Sequence, residues 1–190
     1  KISPFHISEK IPIVKNNKIK ISIFDVVPHH LYSRALMLPE DRYRVSSTCI
    51  QFLTDILKCL ENEDVIIYLK TKHYLNSDRY PDDYVTFIEK INNNNIVKIN
   101  PRYSPKLISL NSHFSISSPF TTAAFYKTIY NYNFFYDPSN IIYKDDRAKQ
   151  NLKLISGYSE LENYLDDTIK DIKLTMNKDN KLIVWKLYVW

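Results

Sequence analysis

Four short stretches of this chain hold residue types suited to gripping and moving a negatively charged group. In SISSPFTTAAF, residues 115–125, Ser117 and Ser118 precede a proline and two threonines, Thr121 and Thr122. A strand that ends in hydroxyls and feeds a helix reads as an anion cradle. The first N–H groups of a helix lack partners and carry partial positive charge, and hydroxyls beside them add donors for phosphate oxygens. An ordinary helix cap with no ligand would look the same. Lys70, Lys72 and His73 directly follow the apolar run VIIYL. They read as a cationic clamp on a phosphate or carboxylate, or as a solvated basic loop. Asp25 closes the run KISIF and opens the loop DVVPHH. A carboxylate there can be a nucleophile toward an anomeric carbon, a general base, or an Asx-turn cap. His29 and His30 in that loop are secondary candidates for catalysis. Tyr136 and Asp137 end the run NFFYD, where Asp137 can bond a ribose hydroxyl or hold the neighbouring PFTT turn.

These residues need elements to position them, and the hydrophobic pattern supplies a set. Short β-branched or aromatic runs predict strands near 20–24, 65–69, 96–99, 113–117, 133–136 and 153–155. Between them, apolar residues at helical spacing predict helices over 46–60, with Ser46 or Ser47 as cap, and over 81–91. Further helices are predicted over 105–110, 123–130 and 160–172, the last with a Ser159–Glu162 capping box. Strands alternating with helices imply a mostly parallel, Rossmann-like α/β sheet with helices on both faces. Such sheets bind ligands outside the carboxyl ends of their strands. Asp25, Lys70 with Lys72, Ser117 with Ser118, and Asp137 all fall at such ends, so four strand ends converge on one crevice. Residues 1–18 read as a linker or lead-in segment and 19–176 as the domain. The tail 177–190 reads as a strand or as an arm docking on a further domain.

Composition narrows the function. A single glycine, Gly157, rules out a GxGxxG turn and a P-loop, so any nucleotide binds without a glycine-rich cradle. Cys49 and Cys59 form no metal-ligand spacing, and no DxD-like metal motif is visible, so no metal is called for. The net charge of +5 is compatible with a phosphate-bearing ligand or an anionic membrane surface. The basic residues are scattered, which argues against nucleic acid as the partner. No apolar run approaches a membrane span, and the opening residues lack the core of a signal peptide. Together with reduced cysteines this gives a cytoplasmic protein, or one peripheral at the inner membrane. A chain beginning with Lys reads as a processed or excised piece.

SSPFTTAAFY resembles the signature of the bacterial polysaccharide biosynthesis proteins named for their PFTS motif, with Thr122 in place of the final serine. ISIFDVVP (21–28), IIYLKTKH (66–73), FFYDPSN (134–140) and LISGYSELENYL (154–165) resemble further segments of that family, in the same order. The resemblance implies a GT-B glycosyltransferase similar to retaining transferases that take Kdo from CMP-Kdo. It implies that this chain is the second, nucleotide-sugar-binding half, with a first half carrying the acceptor site elsewhere. On that reading the donor is a CMP-linked sugar, the acceptor a glycan or lipid-linked glycan, and Asp25 the catalytic carboxylate. Lys70, Lys72, His73, Ser117, Ser118, Thr121, Thr122, Tyr136 and Asp137 then line the donor site. Related transferases carry a His-Pro pair where this chain has Lys-Thr-Lys-His. A non-catalytic nucleotide-binding or scaffolding domain of a polysaccharide assembly protein is the alternative.

Overall fold

Six runs rich in β-branched and aromatic residues pair into one wholly parallel sheet: β1 (Ile19–Phe24), β2 (Val65–Lys70), β3 (Ile96–Ile99), β4 (Phe114–Ser117), β5 (Tyr132–Asp137) and β6 (Lys153–Ser156). The computed structural model describes residues 14, 16–29, 44–119, 121–139 and 152–187, with 179–187 described by their backbone alone. The strand order is β3-β2-β1-β4-β5-β6. The order reverses direction between β1 and β4, which leaves a crevice beyond their carboxyl ends. All six residues of β2 are buried, which a strand covered on both faces requires and a continuous VIIYLK run supplies.

The two faces are covered unequally. Helices α1 (Ser46–Cys59), α2 (Asp82–Lys90) and α4 (Tyr158–Leu187) lie over one face. Leu53 and Ile56 of α1, and Leu161, Leu165, Ile169 and Ile172 of α4, fill the main core with Ile21, Ile23, Ile67, Phe114, Ile116 and Phe134. Each such side chain contributes about 1.5–3 kcal/mol on full burial, and Leu53→Ala would cost about 2–5 kcal/mol. The other face is thinner: the six-residue helix α3 (Pro105–Leu110) and a single 3₁₀ turn, Thr122–Phe125, pack over Phe24, Ile66, Tyr68 and Ile99. Small side chains let them lie close to the sheet there. Ser22, Ser115 and Ser117 stand inward on β1 and β4, and their hydroxyls have no partner among the described residues.

The sequence pattern and the structure part company in four places. No α-helix spans 123–130. The chain makes one 3₁₀ turn, and Tyr126 is extended at φ −76, ψ 135. Its backbone bonds go elsewhere: the N–H of Ile129 donates to the carbonyl of Ser112 at 2.9 Å, and that of Tyr130 to His113 at 3.1 Å. The Asn133 amide donates to the Tyr126 carbonyl at 2.8 Å and accepts from the Thr128 hydroxyl at 2.8 Å. These contacts replace the i to i−4 ladder, and Thr128, Ile129 and Tyr130 are poor helix formers in any case. At α4, Gly157 takes φ 79 and the Glu160 carboxylate reaches back to the Ser156 N–H at 2.9 Å, so the cap lies ahead of the Ser159–Glu162 pair. The same helix continues past 177 to Leu187, without a break at the expected tail boundary. At α1 the cap is Val45, and the Ser46 hydroxyl donates to Asp83 of α2 at 2.7 Å. Of the expected linker 1–18, most lies outside the described residues, though the Val14 N–H donates to the Tyr68 hydroxyl at 3.1 Å.

Candidate functional site

A cavity of about 460 Å³ opens at the carboxyl ends of β1 and β2, between them and the PFTT turn. Phe24, Asp25 and Val26 come from the end of β1, and Lys70, Thr71 and Lys72 from the end of β2. Pro101 and Pro105 come from the approach to α3; Pro119, Thr121, Thr122 and Ala123 come from the turn after β4. Arg44 completes the lining, just ahead of α1, where its Nε donates to the Val27 carbonyl at 3.4 Å. The cavity therefore sits at the reversal of strand order, where a parallel sheet offers unpaired backbone and converging loops.

Asp25 is the buried carboxylate of this cavity, only 6% exposed. Its Oδ1 accepts from the backbone N–H of Lys72 at 3.0 Å and its Oδ2 from the hydroxyl of Tyr84 at 2.8 Å. Its oxygens are thus held by the loop after β2 and by α2 rather than by its own turn. Burial raises its pKa from 3.8 to about 7, against the opposing pull of the Tyr84 and Lys72 hydrogen bonds and the Lys70 and Lys72 charges. A carboxyl group so poised can exchange a proton near neutral pH. Tyr84 in turn stacks on Tyr80, whose hydroxyl accepts from the His73 N–H at 3.0 Å. The loop after β2 is thereby braced by its own Tyr80, which stacks on Tyr84 of α2 beside Asp25.

Lys70 is 5% exposed, and its ammonium donates to the carbonyls of Thr71 at 3.2 Å and Pro101 at 3.1 Å. Burial lowers its pKa and the nearby Asp25 opposes that shift. An ammonium has three donors, and two of them are met among the described residues. Lys72 is exposed and belongs to the cavity lining, and its backbone N–H holds Asp25. With Arg44 this puts three cationic residues in the lining of a cavity that also holds one buried carboxylate.

The expected residues divide. Asp25, Lys70, Lys72, Thr121 and Thr122 line the cavity together. Ser117 and Ser118 lie beneath the turn. Ser117 is fully buried, and the Ser118 N–H donates to the Phe24 carbonyl at 3.2 Å, which pins the start of the turn to β1. The expected helix does not form: a single 3₁₀ turn stands in its place, and the N–H groups of Thr121, Ala124 and Tyr126 bond to the carbonyls of Ser118, Thr121 and Ala123. His73 falls outside the cavity lining, with its Nε2 3.2 Å from Arg79. Tyr136 lies in the core under α1, stacked on Phe52 and donating to Asp55. Asp137 closes β5 with an Asx turn, accepting from the Ser139 N–H at 2.9 Å and from its hydroxyl, while its Oδ2 has no partner among the described residues. His29 pairs its backbone N–H with the Arg44 carbonyl at 2.8 Å, and His30 lies outside the described residues. Arg44, Thr71 and Tyr84 escaped the sequence reading. Arg44 sits in no motif, and Tyr84 is on the apolar stripe of its helix, which reads as core.

Among the described residues no group of His, Cys, Asp and Glu is arranged to hold a metal ion, and no helix is long and apolar enough to cross a membrane. No curated protein matches the chain. A solved structure named as a UDP-N-acetylglucosamine 2-epimerase, from Listeria monocytogenes, superposes with a TM-score of 0.46 at 14% identity, covering 85% of this chain and 39% of that one. The chain thus spans well under half of that protein's length. The family model for polysaccharide biosynthesis PFTS motif proteins matches residues 1–165, and the chain belongs to that family.

Proposed function

We propose that this chain is the nucleotide-sugar-binding half of a GT-B-type glycosyltransferase of polysaccharide biosynthesis, and that the cavity beyond β1 and β2 receives the donor. One observation carries this reading: Arg44, Lys70 and Lys72 surround a cavity at the strand-order reversal in a chain of the PFTS motif family. Three cations suit a ligand with more than one negative charge. A CMP-linked acidic sugar such as CMP-Kdo has two, its phosphodiester and its carboxylate. Thr121 and Thr122 add hydroxyl donors from the turn. Donor binding here relies on side chains, because the chain has no glycine-rich loop to bring backbone N–H groups to phosphate.

Asp25 is the proposed catalytic carboxylate. Tyr84 and the Lys72 N–H fix its two oxygens. As nucleophile it would attack the anomeric carbon as the nucleotide leaves, and the acceptor hydroxyl would then displace it with retention. Lys70 beside it favours the ionised form this step needs. Sugar transfer would require the acceptor site of a first half. The test is calorimetry with CMP, UDP and GDP, then a transfer assay with CMP-Kdo on the full-length enzyme. CMP binding that Lys70→Met weakens supports the site. Equal, weak binding of all three nucleotides that Lys70→Met leaves unchanged refutes it.

A second reading, a nucleotide-binding or scaffolding domain without chemistry of its own, is favoured by one feature. Both Asp25 oxygens already have partners and the residue is 6% exposed. On that reading Asp25→Asn leaves polysaccharide assembly intact in cells.

A further inference from the structure

Every Asp and Glu of the chain lies outside residues 90–136, a stretch that holds Lys90, Lys98, Arg102, Lys106 and Lys127. The thin face of the sheet is built largely from this stretch, and it exposes apolar side chains. On α3, Ile108 and Ser109 turn inward, while Lys106, Leu107 and Leu110 share the outer side at i, i+1 and i+4. Leu107 is 47% and Leu110 44% exposed. After the 3₁₀ turn, exposed and buried residues alternate. Phe125, Lys127 and Ile129 point out while Thr128 is buried, with Phe125 57% and Ile129 49% exposed. The Ile129 N–H bonds to the carbonyl of Ser112, two residues beyond Leu110, so the two rows approach each other at that end, while Phe125 packs edge-on against Phe135 of β5 at the other.

We propose that this face, formed by α3 and the β4–β5 crossover, docks on an anionic lipid bilayer. Leu107, Leu110, Phe125 and Ile129 would enter the headgroup region, and Lys106 and Lys127 would lie at its charged surface. Charge selects this occupant. Two apolar rows interleaved with lysine, with no acidic residue in the stretch, match the paired apolar and electrostatic attraction of interfacial segments. A second copy of the chain would bring these lysines against their own kind. Nucleic acid would call for stacking aromatics among arginines, whereas three of the four exposed apolar residues are aliphatic. The inference stands apart from the donor site and from sugar transfer.

Vesicle flotation of the full chain tests it. Vesicles of equal parts phosphatidylglycerol and phosphatidylcholine should carry the protein, pure phosphatidylcholine vesicles should not, and salt should release it. Lys106→Gln and Lys127→Gln should each lower partitioning roughly fivefold. Lys170→Gln, which removes the same charge from the exposed side of α4, should leave it unchanged. Phe125→Ser with Ile129→Ser should abolish binding. A Phe125→Trp variant gives a second readout: its difference spectrum against wild type should shift to the blue on anionic vesicles only. The proposal fails if anionic vesicles leave the protein unbound, or if both vesicle types bind it equally. It also fails if Lys170→Gln matters as much as Lys127→Gln, or if the four apolar residues prove to mediate self-association or capture of an acidic protein while vesicles do not bind.

Discussion

Two buried tyrosine–carboxylate hydrogen bonds lie on the same side of this sheet, in different surroundings. Tyr136 of β5 donates to Asp55 of α1, which also accepts from Gln51 one turn before it. No cation lies within salt-bridge distance of Asp55 among the described residues, and the pair joins a strand to the helix above it. Tyr84 of α2 donates to Asp25, but Asp25 stands at a strand's carboxyl end, where Lys70, Lys72 and Arg44 share a cavity with it. The hydrogen bond is the same in both; the surroundings differ. A carboxylate closed into a core ties elements together, whereas one that lines a charged cavity also lies where a ligand would come. Burial of a polar pair is therefore no guide to function unless an opening and a counter-charge accompany it.

The sharpest way to break this contrast is to neutralise each acid. Asp25→Asn keeps the shape and both partners, since the amide can still accept from Lys72 and donate to Tyr84. In the full-length enzyme it should abolish transfer while nucleotide affinity stays near normal. Asp55→Asn should leave the rate unchanged and lower the denaturation midpoint. If the two variants lose activity alike, the contrast collapses.

The next effect is on stability. Asp25 has a pKa of about 7 in the fold against 3.8 when unfolded, so between those values the fold holds a proton that the unfolded chain releases. Its stabilising contribution is therefore full below about pH 4, declines as pH rises toward 7, and is flat above. The span has a ceiling of about 4 kcal/mol. Urea titrations of wild type and Asp25→Asn across that range should converge at one end and diverge at the other. Parallel curves would mean that Asp25 is not protonated in the fold.

Lys70→Met should weaken CMP binding by roughly ten- to a hundredfold, the loss of one charge-assisted contact worth about 1.5–3 kcal/mol. Lys58→Met, on α1 and away from the cavity, should leave calorimetric affinity unchanged. The smallest effect separates the two tyrosines. The Tyr84 hydrogen bond lowers the pKa of Asp25, so Tyr84→Phe should move the acid limb of the rate profile to higher pH. Tyr136→Phe should leave that profile in place.

The strands were legible because each is a contiguous run whose residues are buried on one or both faces. VIIYL and NFFYD need no partner to be recognised. The β4–β5 crossover was not legible. Ala123 and Ala124 favour a helix locally, but Asn133 and the backbone of Ser112 and His113 compete for its hydrogen bonds from farther along the chain. Tyr136 illustrates the same gap: it ends a strand, as Asp25 follows one, yet its side chain alternates onto the face under α1 and away from the cavity. Arg44 lies 26 residues before Lys70 in sequence and joins it only when β1 and β2 pair.

Sequence alone determined the strands and most helices in their order, the parallel sheet they build, and the group of strand ends where polar residues gather. Those follow from local periodicity and from the rule that apolar faces must be covered. Tertiary structure alone decided which of those residues meet. Strand order set Asp25 beside Lys70 and Lys72 and left Asp137 to close its own turn, and α2 brought Tyr84 over the carboxylate from 59 residues away. The reason is physical. A side chain's burial, counter-charge and hydrogen-bond partner depend on neighbours across the sheet, and adjacency in the chain says little about them.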